Sequence, residues 1–399
     1  MYTRNLLSVL PFITSSHALK LIISSYGPQP YGSPGTISTL VHTNGTSSLE
    51  VTQKNQDCGS QSSWLEVSPD KTKVLCVDEF NPTGSITMLS LDSEGKLTKL
   101  SNASTLGGPV SSAFFGKDDS SIALAHYTPP GISTFAVTDN NTFQAMQNFT
   151  FPAKIANASV PARQDTAHVH QALRDPFGQY VLFPDLGADL VRIYGVGLAN
   201  KSLTEQPPLK AKAGYGPRHA VFWQPDGKPW DTKLFLLHEL SNKIVSYNVT
   251  YPECGGLEFA EVGEFSMFGD KEPPAGAGAA EILTSPDNKF IIASNRLAPM
   301  FTVPNADPKN ETKIQSDSII TFKPLESGQL EFVEIVASGG MKPRHFNLNT
   351  KGDKIAVANG LSENVVVYQR DVETGKIGSD PIASGFGLGD VTNVRFLDE

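Results

Sequence analysis

Short apolar runs alternate with polar turns along the whole chain, and the alternation repeats. One unit recurs: an apolar strand, a turn often built on Pro-Asp, then a second apolar strand. It appears as Trp64–Asp70 with Lys73–Val77, Ser112–Phe115 with Ile122–Ala125, and His170–Pro176 with Tyr180–Phe183. It returns as His219–Phe222 with Lys233–Leu237, Glu281–Asp287 with Phe290–Ala293, and His345–Leu348 with Lys354–Val357. A second hairpin follows each of these. Its opening strands are Ile37–Leu40, Ile86–Leu89, Ile132–Phe135, Leu190–Ile193, Ile244–Tyr247, Ile319–Phe322 and Val365–Tyr368, starting 46 to 75 residues apart.

No stretch carries a helical period, so the pattern predicts an all-β fold. Two hairpins per repeat make a four-stranded sheet, the blade of a propeller. Second hairpins outnumber complete first hairpins by one. The chain also begins and ends on a lone apolar strand, Leu19–Ser25 and Val391–Phe396. Placing those two side by side in one blade closes the ring and leaves no sheet edge unpaired. The reading is therefore a single seven-bladed β-propeller over residues 19–399.

Composition narrows the partners. Apolar residues make up 39% of the 399 positions and charged residues 18%, as in a folded chain. The 34 glycines and 28 prolines fit a turn-rich architecture. A formal net charge of −9 without a basic run argues against nucleic acid, and no later stretch is long and apolar enough to span a membrane. Residues 1–18 have the outline of a signal peptide: Arg4, apolar Leu6–Ile13, then small residues around Ala18. Eight asparagines head N-x-S/T (Asn44, Asn102, Asn140, Asn148, Asn157, Asn200, Asn248 and Asn310), which leans the same way. The expectation is a secreted glycoprotein, with a cytoplasmic enzyme as the alternative. The cysteines Cys58, Cys76 and Cys254 match no metal-binding spacing. Cys58 and Cys76 are the pair near in sequence, but unreactive buried thiols are the favoured reading.

Candidate chemistry follows from the repeat, because equivalent positions on inner strands face one another across a central channel. One ring, just after the second strand of each first hairpin, reads Tyr26, Glu79, His126, Asp185, Glu239, Arg296 and Asn359. Another, at the start of the inner strands, holds His168, His170, Arg218, His219, Glu281, Arg344 and His345. Three arginines converging on one channel (Arg218, Arg296 and Arg344) suit an anion, since a guanidinium fork matches a carboxylate. The same arginines would repel a metal cation, so no metal is expected. Neither a nucleophile elbow nor a phosphate-binding loop is present in the sequence.

Several stretches recur in order as in a known family: His168–Gln171 with Phe183–Tyr194, Gly216–His219, His238–Leu240, Ser285–Asp287 with Ala293–Arg296, and Pro343–His345. By these the chain resembles the seven-bladed propeller lactonases, which include bacterial 6-phosphogluconolactonases and fungal carboxy-cis,cis-muconate cyclases. The resemblance implies a catalytic set of His170, Arg218, Glu239 and Arg296. His168, Asp185, His219, Glu281, Arg344 and Glu79 would then bind substrate. It implies a cofactor-independent enzyme that forms or opens a lactone of a small carboxylate. Arginines would hold carboxylates or an oxyanion, and His170 or Glu239 would move the proton. The alternative is a secreted or wall-associated propeller that binds without catalysis.

Overall fold

In a computed structural model the described residues are 19–397 except 31, 44, 117–118, 153, 156–157, 198–200 and 229. The leader-like segment and the sequons at Asn44, Asn157 and Asn200 lie outside them. The described residues form seven antiparallel four-stranded sheets arranged as propeller blades. Strand Val391–Phe396 pairs with Leu19–Ser25, so the first blade is completed by the last strand and the ring is closed.

The sequence pattern differs strand by strand because each strand sits at a different depth. The second strand of a blade lies between its neighbours and between adjacent blades. Ser121–His126, Tyr180–Asp185 and Thr232–His238 are accordingly buried at every position. Such strands read as continuous apolar runs. Outer strands such as Leu49–Asn55 and Phe143–Thr150 are largely exposed and polar. Successive residues on a strand point to opposite faces. Leu234 and Leu236 thus pack toward the fourth blade, while Phe235 and Leu237 pack toward the sixth. The seven buried apolar clusters coincide with the seven blade-to-blade interfaces.

Three features depart from the expected repeat. The inner strand of the fourth blade is only Leu173–Arg174, extended by a single bridge between Val169 and Asp185. The expected strand from His170 onward is therefore mostly irregular. In the sixth blade an extra hairpin, Phe301–Pro304 with Lys313–Ser316, stands between the second and third blade strands. It accounts for the widest spacing between repeats. Inner strands also carry bulges, at Ser62/Trp64, Pro109/Ser111, Pro217/His219 and Pro343/His345. A bulge sets two residues against one and re-aims the side chains. Adjacent residues such as Arg218 and His219 can then both serve the channel.

Cys58 and Cys76 form a disulfide, and Cys254 is free and exposed. The favoured reading of unreactive thiols is corrected for this pair. The loop carrying Cys58 joins the first two blades, and Cys76 lies in the core of the second, a sequence separation of 18. Closing a loop of that size in the unfolded chain is worth about 3 kcal/mol. We expect the Cys58→Ala/Cys76→Ala variant to lose roughly that amount in urea unfolding, with the wild type under reductant matching the variant.

Candidate active site

The channel residues come from the ends of inner strands and from the turns that follow the second strands. Glu239 is the centre of one cluster. Its amide donates to Gly216 O at 2.8 Å, which fixes the turn, and its carboxylate receives guanidiniums from three places. Arg218 Nε lies 2.9 Å and Arg296 Nη2 2.7 Å from Oε2, and Arg163 donates to Oε1. Burial opposes charge on Glu239, but Arg296, Arg218 and Arg163 outweigh it and hold the carboxyl down at about 2. Arg218 is almost completely buried and also donates to Ala280 O. Burial and the repulsion of Arg296 push it below the ordinary guanidinium range, to about 9.

A second chain of contacts runs beneath. Glu281 Oε1 lies 2.8 Å from His219 Nδ1, and His219 Nε2 lies 3.2 Å from His170 Nδ1. All three side chains are buried. The other carboxylate oxygen faces His345 Nε2 at 3.7 Å. Burial disfavours the Glu281 charge, yet the His219 N–H and the surrounding cations hold the carboxyl down at about 2. An ionised Glu281 accepts a hydrogen bond from His219 Nδ1–H, so neutral His219 offers a lone pair at Nε2. That lone pair accepts from His170 Nδ1–H. The tautomers are thus set by partners, and His170 Nε2 is left unprotonated. It makes no hydrogen bond among the described residues. Burial, then Arg218 and the other cations, keep His170 well below the usual histidine range, hence neutral. Trp64 packs edge-on against both His219 and His345, with ring centres 5.8 and 5.3 Å apart.

A third group joins the first, second and seventh blades. Arg344 donates to the Tyr26 hydroxyl at 2.7 Å and to Glu79 Oε2 at 3.2 Å, and Tyr26 donates to Glu79. Arg344 is close enough to depress both His170 and Arg218 electrostatically. Closure of the ring therefore brings His170, Arg218, Glu239, Arg296, His219, Glu281, Arg344 and Glu79 to one region of the channel. His168 forms its wall: stacked on Tyr127 with ring centres 4.2 Å apart, it is held by Tyr127 O and Asp165 at 3.0 Å each.

Asp185 is different. It is fully buried in its own blade, accepting from His168 N at 2.8 Å, Ala188 N at 3.0 Å and Arg192 Nε at 2.9 Å. The ring position is taken by Leu186, whose amide bonds His168 O just as Glu239 N bonds Gly216 O. His126 and Asn359 are likewise one residue early, and Tyr127 and Gly360 hold the equivalent turn positions. A slip of one residue on a strand reverses the face of the side chain. His126 accordingly turns inward to Gly107 O and Ser133. Counting from the turn rather than the strand would have identified Tyr127. Arg163 lies in a connection with no counterpart in the other repeats, so the repeat gave no signal for it. A groove lined by Phe222, Trp223, Phe290 and Pro324 opens at the opposite mouth, where the inner strands end, and contains none of these groups.

The fold and site together define a closed propeller whose channel gathers arginines around Glu239 and Glu79. The chain belongs to the lactonase, 7-bladed beta-propeller family, whose model matches residues 20–394. It is 32% identical to a probable 6-phosphogluconolactonase of Arthroderma benhamiae, over 86% of this chain and 81% of that one. It is also 32% identical to a 6-phosphogluconolactonase of Formosa agariphila, over 79% of this chain and 83% of that one. In fold it is similar to a periplasmic gluconolactonase of Pseudomonas aeruginosa (TM-score 0.74, 24% identity, 96% of this chain and 99% of that one).

Glu239 is depressed from 4.5 to about 2 in the folded chain. Its stabilisation is complete above the unfolded value and is lost as pH falls toward 2. We expect Glu239→Gln to remove that part of the acid dependence of unfolding. At neutral pH it should destabilise by about 3 kcal/mol or more, because buried guanidiniums are left unpaired. Urea titrations between pH 3 and 7 check both effects.

Proposed function

We propose that the protein is a lactone hydrolase acting on an anionic sugar lactone of the 6-phosphogluconolactone type. The observation that carries this reading is the Glu281–His219–His170 chain, which ends in an unprotonated His170 Nε2 beside Arg218 and Arg296. His170 Nε2 takes a proton from water as the water oxygen bonds to the lactone carbonyl carbon. The imidazolium that forms keeps its Nδ1–H on His219, and the negative Glu281 stabilises it. Charge developing on the carbonyl oxygen is met by Arg296, which stands fixed before the reaction begins, and by the field of the buried Arg218 behind it. The ring C–O bond then breaks, and His170 returns the proton to the departing alkoxide. The product is the open hydroxy acid.

Ring formation on a muconate needs the reverse provision, a proton delivered to carbon. At neutral pH His170 is neutral and Glu239 is ionised, so neither holds a proton fit for donation. That supports hydrolysis over cyclisation, and it makes Glu239 the partner of the arginines rather than an acid–base group. We expect His170→Asn to lower kcat/KM on 6-phosphogluconolactone by about 100-fold or more. The wild type should stay active below the ordinary histidine pKa of about 6.5. Glu281→Gln removes a negative charge near the relay, so it should slow turnover and move the acid limb to lower pH. Faster cyclisation of carboxymuconate than lactone opening would overturn the reading. Tight lactone binding without turnover would favour a binding module.

We also propose that the chain matures in an oxidising, secretory compartment. The Cys58–Cys76 disulfide supports this, and so do the sequon asparagines among the described residues. Asn102, Asn140, Asn148, Asn248 and Asn310 are all exposed. Full-length chain expressed in a eukaryotic host should appear in the medium, lose mass on N-glycosidase treatment, and show one titratable thiol. Retention in the cytosol with unmodified asparagines and three thiols would refute it.

A further inference from the structure

The four guanidiniums of the channel are not equivalent. Arg218 is sealed and committed to Glu239 and Ala280 O, and Arg344 is committed to Tyr26 and Glu79. Arg296 is 14% exposed at its side chain. Arg163 is 42% exposed, the most open of the group. It is also the only one of the four outside the repeated strands, in the connection between Phe143–Thr150 and Leu173–Arg174.

That connection is built to hold Arg163 in place. Gln164 Nε2 donates to Leu186 O at 3.0 Å, Val160 N to Gln164 Oε1 at 3.1 Å, and Ile155 N to Asp165 O at 2.9 Å. Gly187 permits the approach: a Cβ there would stand 1.8 Å from Thr166 O, so any side chain would push the segment off the fourth blade. From this seat Arg163 reaches Glu239 of the fifth blade and the Tyr127 hydroxyl of the third. Those two contacts do not use all five of its N–H groups, and the side chain remains 42% exposed. The neighbouring Asp165 carboxylate is drawn to His168 Nε2 at 3.0 Å.

We propose that Arg163 is the specificity residue of the site, taking the phosphate that a phosphorylated sugar lactone carries away from its reacting carbonyl. The inference rests on the hydrolase reading for the lactone but not for the anion. A phosphate oxygen accepting from a guanidinium makes a charge-assisted pair, strong enough to separate phosphorylated from plain substrates by about tenfold to a hundredfold. Glu239 and Tyr127 orient the fork so that little side-chain entropy is lost on binding.

The test compares 6-phosphogluconate with gluconate, which share the carboxylate and differ in the phosphate. Calorimetry on the wild type should give at least tenfold tighter binding of the phosphorylated acid. Arg163→Gln should bring the ratio near one, and Arg163→Lys, which keeps the charge, should retain part of it. The selectivity in kcat/KM between 6-phosphogluconolactone and glucono-1,5-lactone should collapse in parallel, chiefly through KM. Equal losses on both acids would overturn the proposal, since Arg163 would then act only by steadying Glu239. No preference in the wild type would also overturn it. An Arg163-dependent preference without opening of either lactone would refute the hydrolase reading and leave the anion site standing.

Discussion

A carboxylate among three guanidiniums is what allows this channel to be positive at all. Arg163, Arg218 and Arg296 come from separate parts of the chain, and like charges at such range repel strongly once water is removed. Glu239 neutralises enough of that charge for Arg218 to stay buried. The cost of desolvating these groups is recovered only if every partner is in place. Placement depends on the turn after the second strand of the fifth blade, where Glu239 N donates to Gly216 O at 2.8 Å. Arg163 and Arg296, the partly exposed members, are held by Glu239 in one arrangement.

The rest of the site follows from using one structural position several times. His219, His345, Trp64 and Ser111 each lie just past an inner-strand bulge, paired with the penultimate residue of the strand behind. His170 and Glu281 hold corresponding places in the fourth and sixth blades. Seven-fold repetition turns a linear periodicity into a collar, and chemistry arises where neighbouring blades differ. Glu281, His219 and His170 are neighbours around that collar, so a relay forms across blades without any segment of chain linking them locally. The bulge matters as much as the repeat. It lets Arg218 and His219, adjacent in sequence, act at two levels of the same channel.

What could be read from the sequence is what periodicity controls. Blade number, ring closure and the gathering of His170, Arg218, Glu239, Arg296 and Arg344 are consequences of counting apolar strands. The failures occur where the count is broken locally. Asp185 was misplaced by one residue, because the strand ends on a polar residue that stays buried in its own blade while the turn position after it holds the apolar Leu186. Arg163 belongs to an irregular connection whose anchors are side chain to backbone, a kind of contact that leaves no period. The Cys58–Cys76 bond joins a loop to a core strand, and only the docking of two blades shows that they meet.

The charges also decide which way a proton can travel. A histidine surrounded by cations resists protonation, and one hydrogen-bonded through a second ring to a carboxylate resists it less. His170 has both environments, and the balance keeps it neutral; in the proposed hydrolysis its imidazolium need last only as long as an intermediate. In the proposed reaction the arginines that depress His170 would also attract the anion whose arrival offsets them. Substrate binding should therefore raise the basicity of His170 at the moment a base is needed. A site with the same residues but no relay would lack that compensation, and a relay without the arginines would hold its proton too readily in the free enzyme. The cationic cluster and the buried Glu281–His219–His170 chain are one device, and each sets the conditions under which the other works.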